Sequence, residues 1–425
     1  MRLAFLRWGR IGGWWGLLVC AAVAASLGCE QADDAPPRRE SFPPSGFVQY
    51  DSAGIEISAT AGWAAETPLG WVLEETPDLV IGGEDQAGRQ FYSIRGVVQL
   101  PDGGIVLLDG SSRELRFFDG NGQLRHRFGR KGKGPGEFQA PYLVPTPGSD
   151  SLLVFDGALR RFHWISNDGE GYRLVTPEQR WPTARPPLGA RGSLLFTHSR
   201  ISSRPRAVGL DPDTLRFTWV DLLTGRTEAT ATSVVIGRSF VTFISREGVP
   251  HSMAIPFVSL DPPVVVLPTG GLVGDPRGEL REYDTKGVLR RIVRVEGMGR
   301  PVTPETLEAF IDFRVERSSR SRAGLREDYS KMPVPDTLPM FASLHLDEEG
   351  WVWAESYEFD PGRSRTATVF DRTGRARGAI RLPAGLTIHE IGTDFVLGVW
   401  KDEWGVEFVR RYRLRRNPAD SDPAG

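Results

Sequence analysis

The sequence predicts an all-β fold, a ring of small antiparallel sheets, and three observations carry that expectation. Residues 93–138 parse into four short strands joined by tight turns. A hairpin of one aromatic, Asp, two further residues and Gly occurs three times along the chain. Glycine and proline are frequent, at 49 and 32 of 425 residues, as expected for a chain that turns every few residues.

The strands of 93–138 follow from local pattern. Ser93 to Leu100 is a first candidate, ended by Pro101-Asp102-Gly103. Ile105 to Leu108 is a short apolar run, as suits a strand buried on both faces. Leu115, Phe117 and Phe118 mark a third strand, closed by Asp119-Gly120-Asn121-Gly122, whose glycines accept the positive φ of a tight hairpin. Leu124, His126 and Phe128 alternate with Gln123, Arg125 and Arg127, the period of a strand with one face in solvent. Four such strands in about 40 residues match one blade of a β-propeller. The hairpin returns at Tyr283-Asp284-Thr285-Lys286-Gly287 and Phe370-Asp371-Arg372-Thr373-Gly374, each followed by a basic, apolar strand. Repetition of this kind implies units that bury their sheets against their neighbours.

Further strands are expected at 193–197, 215–222, a threonine-rich 227–235, 264–267, 279–284, 288–293, 343–346, 351–355, 367–371 and 377–382. The last group, 386–391, 395–400 and 407–414, lacks a fourth strand. An N-terminal strand near Trp71 to Ile81 is expected to complete it and close a six-bladed ring of four-stranded blades. Thr303 to Lys331 breaks the β pattern. Thr303 is an N-cap, Pro304 fits the first helical position, and Leu307, Phe310, Ile311 and Val315 share one face. A short helical insertion near 303–331 is therefore expected, packed on the rim or placed as a lid over the channel mouth. The domain plan is a signal peptide at 1–29, a flexible tether at 30–69 with a first strand at 54–59, the propeller at 70–416 and a disordered tail at 417–425.

Arg2, Arg7 and Arg10 precede an uncharged, largely apolar run from Ile11 to Gly28, the layout of an export signal, although the run is almost long enough to span a membrane. Ser26-Leu27-Gly28-Cys29 resembles a bacterial lipobox, with Ser26 and Leu27 where that pattern prefers Leu and a small residue. The resemblance implies lipidation of Cys29 and a lipid anchor on the periplasmic side of the envelope. Ala22-Val23-Ala24 offers ordinary cleavage instead. Glu30 to Gly46 is polar and proline-rich, the composition of a tether.

Net charge is −2, and cleavage before Cys29 takes it to −5, because Arg2, Arg7 and Arg10 but no acidic residue precede that cysteine. Nucleic-acid binding is not expected. The two cysteines, Cys20 and Cys29, leave the body without a disulfide or a cysteine metal site. No two of the six histidines (126, 163, 198, 251, 345, 389) share a short metal-binding spacing. No Gly-x-Ser-x-Gly or His-Glu-x-x-His pattern occurs. Asp119, Asp284 and Asp371, and the acidic run 347–349, read as turn residues. Trp164, Trp219, Trp351, Trp353, Trp400 and Trp404 lie in or beside the expected strands; most of the tryptophans are expected to pack between blades and some to line a ligand surface, and the sequence alone does not sort them.

The stretch FGRKGKGPGEFQAP at 128–141 is glycine-rich and basic, but it lacks the Gly-Lys-Ser/Thr ending of a phosphate loop. It reads as a crossover between blades with Phe138 as a packing plug. The stretch resembles the linker signature of NHL-repeat and related TolB-like six-bladed propellers of bacteria. The likeness continues through Ser151–Asp156 and Leu159–Phe162, and again at Phe395–Trp400 with Tyr412–Leu414. It implies a fold rather than a chemistry, since that group spans scaffolds, binding modules and a few enzymes.

Two functions from different classes are therefore expected. The first is a non-enzymatic, monomeric, envelope-tethered binding or scaffold module for a protein, peptide or glycan, with no cofactor. Its candidate basic patch is Arg113, Arg130, Lys131, Lys133 and Arg160, on turns that share one face of the ring. The alternative is a metal-dependent hydrolase or lyase of the lactonase-like kind, with calcium or another divalent ion at the channel mouth. No catalytic residue is nominated for it.

Overall fold

The computed structural model describes residues 42–83, 90–146, 149–179, 185–201, 208–244, 250–257, 262–318, 321–360 and 362–417. The expected export segment with Cys20 and Cys29, and the tail from 418 onward, lie outside the described residues. No described helix is long and apolar enough to cross a membrane.

The chain opens with β1 (Phe47–Ser52), β2 (Ile55–Ala61), the one-turn helix α1 (Gly62–Glu66), β3 (Val72–Leu73) and β4 (Leu79–Ile81). Blade 1 is β5 (Ile94–Gln99), β6 (Ile105–Asp109), β7 (Glu114–Phe118) and β8 (Leu124–Phe128). Blade 2 is β9 (Pro141–Val144), β10 (Ser151–Asp156), β11 (Arg161–Ser166) and β12 (Tyr172–Val175). Blade 3 is β13 (Gly189–Arg191), β14 (Leu194–Ile201), β15 (Gly209–Asp221), β16 (Thr227–Ile244) and β17 (Pro250–Ala254). Blade 4 is β18 (Val264–Val266), β19 (Gly270–Gly274), β20 (Leu280–Asp284) and β21 (Leu289–Glu296). Helices α2 (Pro304–Glu316) and α3 (Arg322–Ser330) follow. Blade 5 is β22 (Phe341–Leu346), β23 (Val352–Ser356), β24 (Arg365–Phe370) and β25 (Ala376–Leu382). Blade 6 begins with β26 (Leu386–Ile391), β27 (Phe395–Lys401) and β28 (Glu407–Arg415).

The ring is a six-bladed β-propeller, closed as expected. The outer strand of blade 6 comes from the N-terminal part of the chain, in two pieces: Leu73 pairs Leu414, and Leu79–Ile81 pair Arg411–Val409. The core is divided among the seams. One apolar cluster joins each adjacent pair of blades: Phe138 with Val154 between 1 and 2, Phe155 with Leu195 between 2 and 3, and Trp219 with Tyr283 between 3 and 4. Leu280 with Phe341 joins 4 and 5, Trp353 with Ile388 joins 5 and 6, and Ile81 with Phe118 joins 6 and 1. Each blade is thus a two-sided sheet whose burial depends on both neighbours.

The repeated turn aspartates have one job. Asp119 accepts the N–H groups of Asn121 and Gln123 at 3.0 and 2.8 Å. Asp284 does the same for Lys286 and Val288, both at 2.9 Å, and Asp371 for Thr373 and Arg375 at 2.9 and 3.1 Å. The glycine closing each hairpin (122, 287, 374) has φ near +80°, which a side chain would strain. Asp347 is likewise a structural acid: it takes the Trp351 N–H at 2.7 Å, the Trp353 indole N–H at 3.0 Å and the Arg416 guanidinium at 3.0 Å.

Three features differ from the sequence reading. Blade 3 carries a fifth strand beyond the threonine-rich one, and β16 runs on through Ile244. The single strand expected at 54–59 is half of a hairpin, so ordered structure begins well inside the stretch 30–69; β2 lies parallel to β21, with Glu56–Ala61 beside Arg291–Glu296, and extends blade 4 to six strands. The insertion has its own core: Phe310, Ile311, Leu325 and Tyr329 pack with Phe257 and Phe359. Phe257 lies on the link between blades 3 and 4 and Phe359 on the turn between the second and third strands of blade 5, so the helices pack on the face that carries those turns. The Thr303 hydroxyl caps α2 by accepting the Thr306 N–H, as its sequence position requires.

Candidate functional site

Successive strands run up and down, so the turns of the ring fall on two faces. One carries the turns between second and third strands together with the links between blades; we call it the linker face. All five sequence-nominated cations lie in its turns: Arg113 between β6 and β7, Arg130, Lys131 and Lys133 between β8 and β9, and Arg160 between β10 and β11.

The β8–β9 link is a built loop. Arg161 reaches beneath it and donates to the carbonyls of Lys133, Gly134 and Glu137 at 2.9, 2.8 and 2.8 Å. The fully buried Asp156 carboxylate accepts the N–H groups of Gln139 at 2.7 Å and Ala140 at 3.1 Å. Tyr172 accepts the Gly136 N–H at 3.0 Å, while its hydroxyl lies 3.2 Å from Nδ1 of His163. Phe138 is buried against His163, with ring centroids 4.7 Å apart, and plugs the seam as expected. Burial, with the Arg161 charge behind it, pushes His163 down to about 4, so the imidazole under the loop is neutral at ordinary pH.

What the loop presents is positive. Arg130 is exposed and paired to Glu137 at 2.9 Å, and that carboxyl is held below its usual range first by the Gly134 N–H and then by Arg130. Lys131 and Lys133 are exposed, and neither ammonium has an ion-pair partner among the described residues. Arg113 and Arg160 flank the loop at equivalent positions, four residues after Asp109 and Asp156. Both are in the left-handed region, with φ of 61° and 54°, and each donates its N–H to the carbonyl of its aspartate. A non-glycine residue in that conformation costs about 1 kcal/mol.

On the same face lie two exposed aromatic residues that the sequence alone does not single out for a site. Trp404, on the turn between β27 and β28, is 80% exposed. Tyr92, just before β5, is 56% exposed. The sequence leaves Trp404 unsorted among the tryptophans; the signal that separates it is Asp402, which fixes the turn by accepting the N–H groups of Trp404 and Val406 at 2.9 and 2.8 Å.

The inner strands carry a second polar set, in blades 5, 6 and 1. Ser343 Oγ lies 3.2 Å, and Glu355 Oε1 2.6 Å, from Nε2 of His345. Ser, His and an acid are thus together, but serine and carboxylate share one ring nitrogen. A nucleophile relay needs them on opposite nitrogens. Arg365 Nη1 lies 2.7 Å from the other Glu355 oxygen, and the set acts as a strut. Burial is the largest influence on Glu355 and opposes its charge, yet His345 and Arg365 keep its pKa below the usual value. A bulge in β26 turns His389 out of the ladder. Desolvation, then the nearby His345, lowers His389 to about 4. Burial raises its neighbour Glu390 to about 7, although the Gln99 N–H donates to it at 2.6 Å. Among the described residues, no three His, Cys, Asp or Glu side chains are grouped as a metal site. A groove of about 600 Å³ opens on the opposite face between blades 3 and 4, and the Asp284–Arg290 and Thr269–Glu282 pairs line it.

No family model matches this sequence, and no curated protein matches it. Solved structures do. A Bacteroides fragilis protein named as exported has 12% identity and a TM-score of 0.44, covering 82% of this chain and 95% of its own. A Bacteroides vulgatus member of the DUF4221 family has 13% identity and a TM-score of 0.48, over 82% of this chain and 99% of its own. Streptogramin B lyase has 10% identity and a TM-score of 0.34, over 82% and 98%. The fold assignment rests on the strand order and the six seams described above.

Proposed function

We propose that this protein is an exported, envelope-tethered β-propeller that acts as a non-enzymatic binding module. In this reading Cys29 carries the lipid anchor, and the linker face holds an anionic protein, peptide or glycan of the envelope. The NHL-like and TolB-like linker pattern belongs to the same reading. The observation that carries it is the pair of exposed lysines, Lys131 and Lys133, on a loop that Arg161 and Asp156 fix from below. Positive charge on a fixed platform favours partner capture, because little freedom is lost on binding. The two left-handed arginines beside it support the same face, since backbone strain of this kind gathers at functional sites.

The test is a pull-down of envelope components with the purified full chain and with Lys131→Glu/Lys133→Glu. Both side chains are exposed, so the variant should fold. Loss of captured partners is expected, and the loss should be mimicked by added salt. Unchanged capture would remove this face from consideration.

A further inference from the structure

We propose that the linker face of blades 6, 1 and 2 is a binding surface for an acidic polysaccharide, with Trp404 and Tyr92 stacking on sugar rings and Lys131 and Lys133 pairing with the carboxylates. This rests on the basic-face reading and adds the class of partner.

The two aromatic residues belong to one fixed unit. The Glu407 N–H donates to the Phe91 carbonyl at 2.7 Å, and a Glu407 carboxylate oxygen accepts the Ile94 N–H at 2.5 Å. Those bonds tie the strand after Trp404 to the residues on either side of Tyr92. Phe91 is buried below and stacks under the Arg116 guanidinium at 5.2 Å, so the backbone carrying Tyr92 is anchored from inside. Trp404 and Tyr92 are therefore held outward by rigid turns, each bearing a large ring in water. That arrangement forgoes the stabilisation that burying an aromatic ring provides.

The surroundings select the partner. Aromatic residues that anchor protein partners sit in packed pockets ringed by contacts that exclude water. Among the described residues Trp404 has no such ring: Lys401 and Glu403 beside it are exposed and polar. An isolated flat indole instead suits the C–H face of a sugar, whose hydroxyls stay in water. The β8–β9 loop that carries Lys131 and Lys133 leaves blade 1, the blade that Tyr92 leads into. Aromatic and cationic positions thus follow one another around the face, and a polymer repeating ring and carboxylate fits that order.

The probe is polygalacturonate, with neutral dextran and poly-L-glutamate as comparisons, against the full chain at low and moderate salt. The inference expects polygalacturonate to bind and dextran not to. Trp404→Ala should weaken binding about ten-fold or more, the size of an interfacial aromatic anchor, while Trp404→Phe retains most of it. Lys131→Glu/Lys133→Glu should also weaken it and flatten its salt dependence. Absence of polygalacturonate binding, or binding indifferent to Trp404→Ala, overturns the inference. Poly-L-glutamate bound equally well, through the lysines and without Trp404, also overturns it but leaves the basic-face reading standing and points to an acidic peptide. Polygalacturonate binding that responds to Trp404 but not to the lysines overturns both the inference and its basis.

Discussion

Replacing Arg161 with methionine tests whether the β8–β9 link is a built platform or an ordinary surface loop. The side chain makes three bonds to loop carbonyls, at 2.9, 2.8 and 2.8 Å, and is itself almost fully buried. A hydrogen bond from a charged donor contributes about 1.5–3 kcal/mol. The three are not additive, and the freed carbonyls regain water at the surface, so about 2–3 kcal/mol is expected for the set. The loss falls on local opening of residues 129–140, because Asp156 still holds Gln139 and Ala140. Trypsin reads this directly, since cleavage after Arg130, Lys131 or Lys133 requires the loop to leave its bonded conformation. With reclosing faster than cleavage, the rate tracks the open population, and 2 kcal/mol corresponds to a rise of about 30-fold. Arg161→Lys keeps the charge but loses the fork and should fall between the two. A cleavage rate in Arg161→Met within about two-fold of the parent would refute the platform argument.

Two further outcomes test the ring and its channel. Ile81, fully buried in the closing strand, should cost about 3 kcal/mol on replacement by alanine, while the exposed neighbour Val80→Ala stays within about 0.5 kcal/mol; equal urea midpoints for the two would argue against closure through β4. Burial raises Glu390 from 4.5 to about 7, so the folded state binds the extra proton and stability declines as pH rises through that interval. Glu390→Gln removes the slope and should be more stable than the parent by about 1–2 kcal/mol at pH 8, a figure reduced for the water that reaches this half-buried group, and equal to it near pH 5. Parallel denaturation curves at both pH values would contradict the assignment.

Much of the ring was legible because its punctuation is local. The Asp-x-x-Gly hairpins, the Thr303-Pro304 helix start and the apolar run Ile105–Leu108 each declare themselves within a few residues. The closing strand was legible by elimination, since 386–414 supplies three strands and an open edge is costly. Partners distant in sequence left no such mark. IEISATA at 55–61 reads as a strand, but nothing in it says that it lies parallel to Arg291–Glu296. The end of β16 was missed because TSVVIGRSFVTF loses the period-two pattern that marks a half-exposed strand. Trp404 could not be sorted from the sequence for a physical reason: sequence reports that an indole is present, whereas its exposure is decided by how Asp402 folds the turn beneath it.

The pairing of Asp78 with Arg411 spans 333 residues of sequence, and it ties the first-made flank of the ring to its last. A nascent chain therefore holds Leu79 and Ile81 without their partners until β28 has been made. Five blades can assemble in order, but the latch waits for the C-terminal strand. Losing β28 would leave a spring-washer that cannot shut, prone to stick to a sister molecule through the same edge.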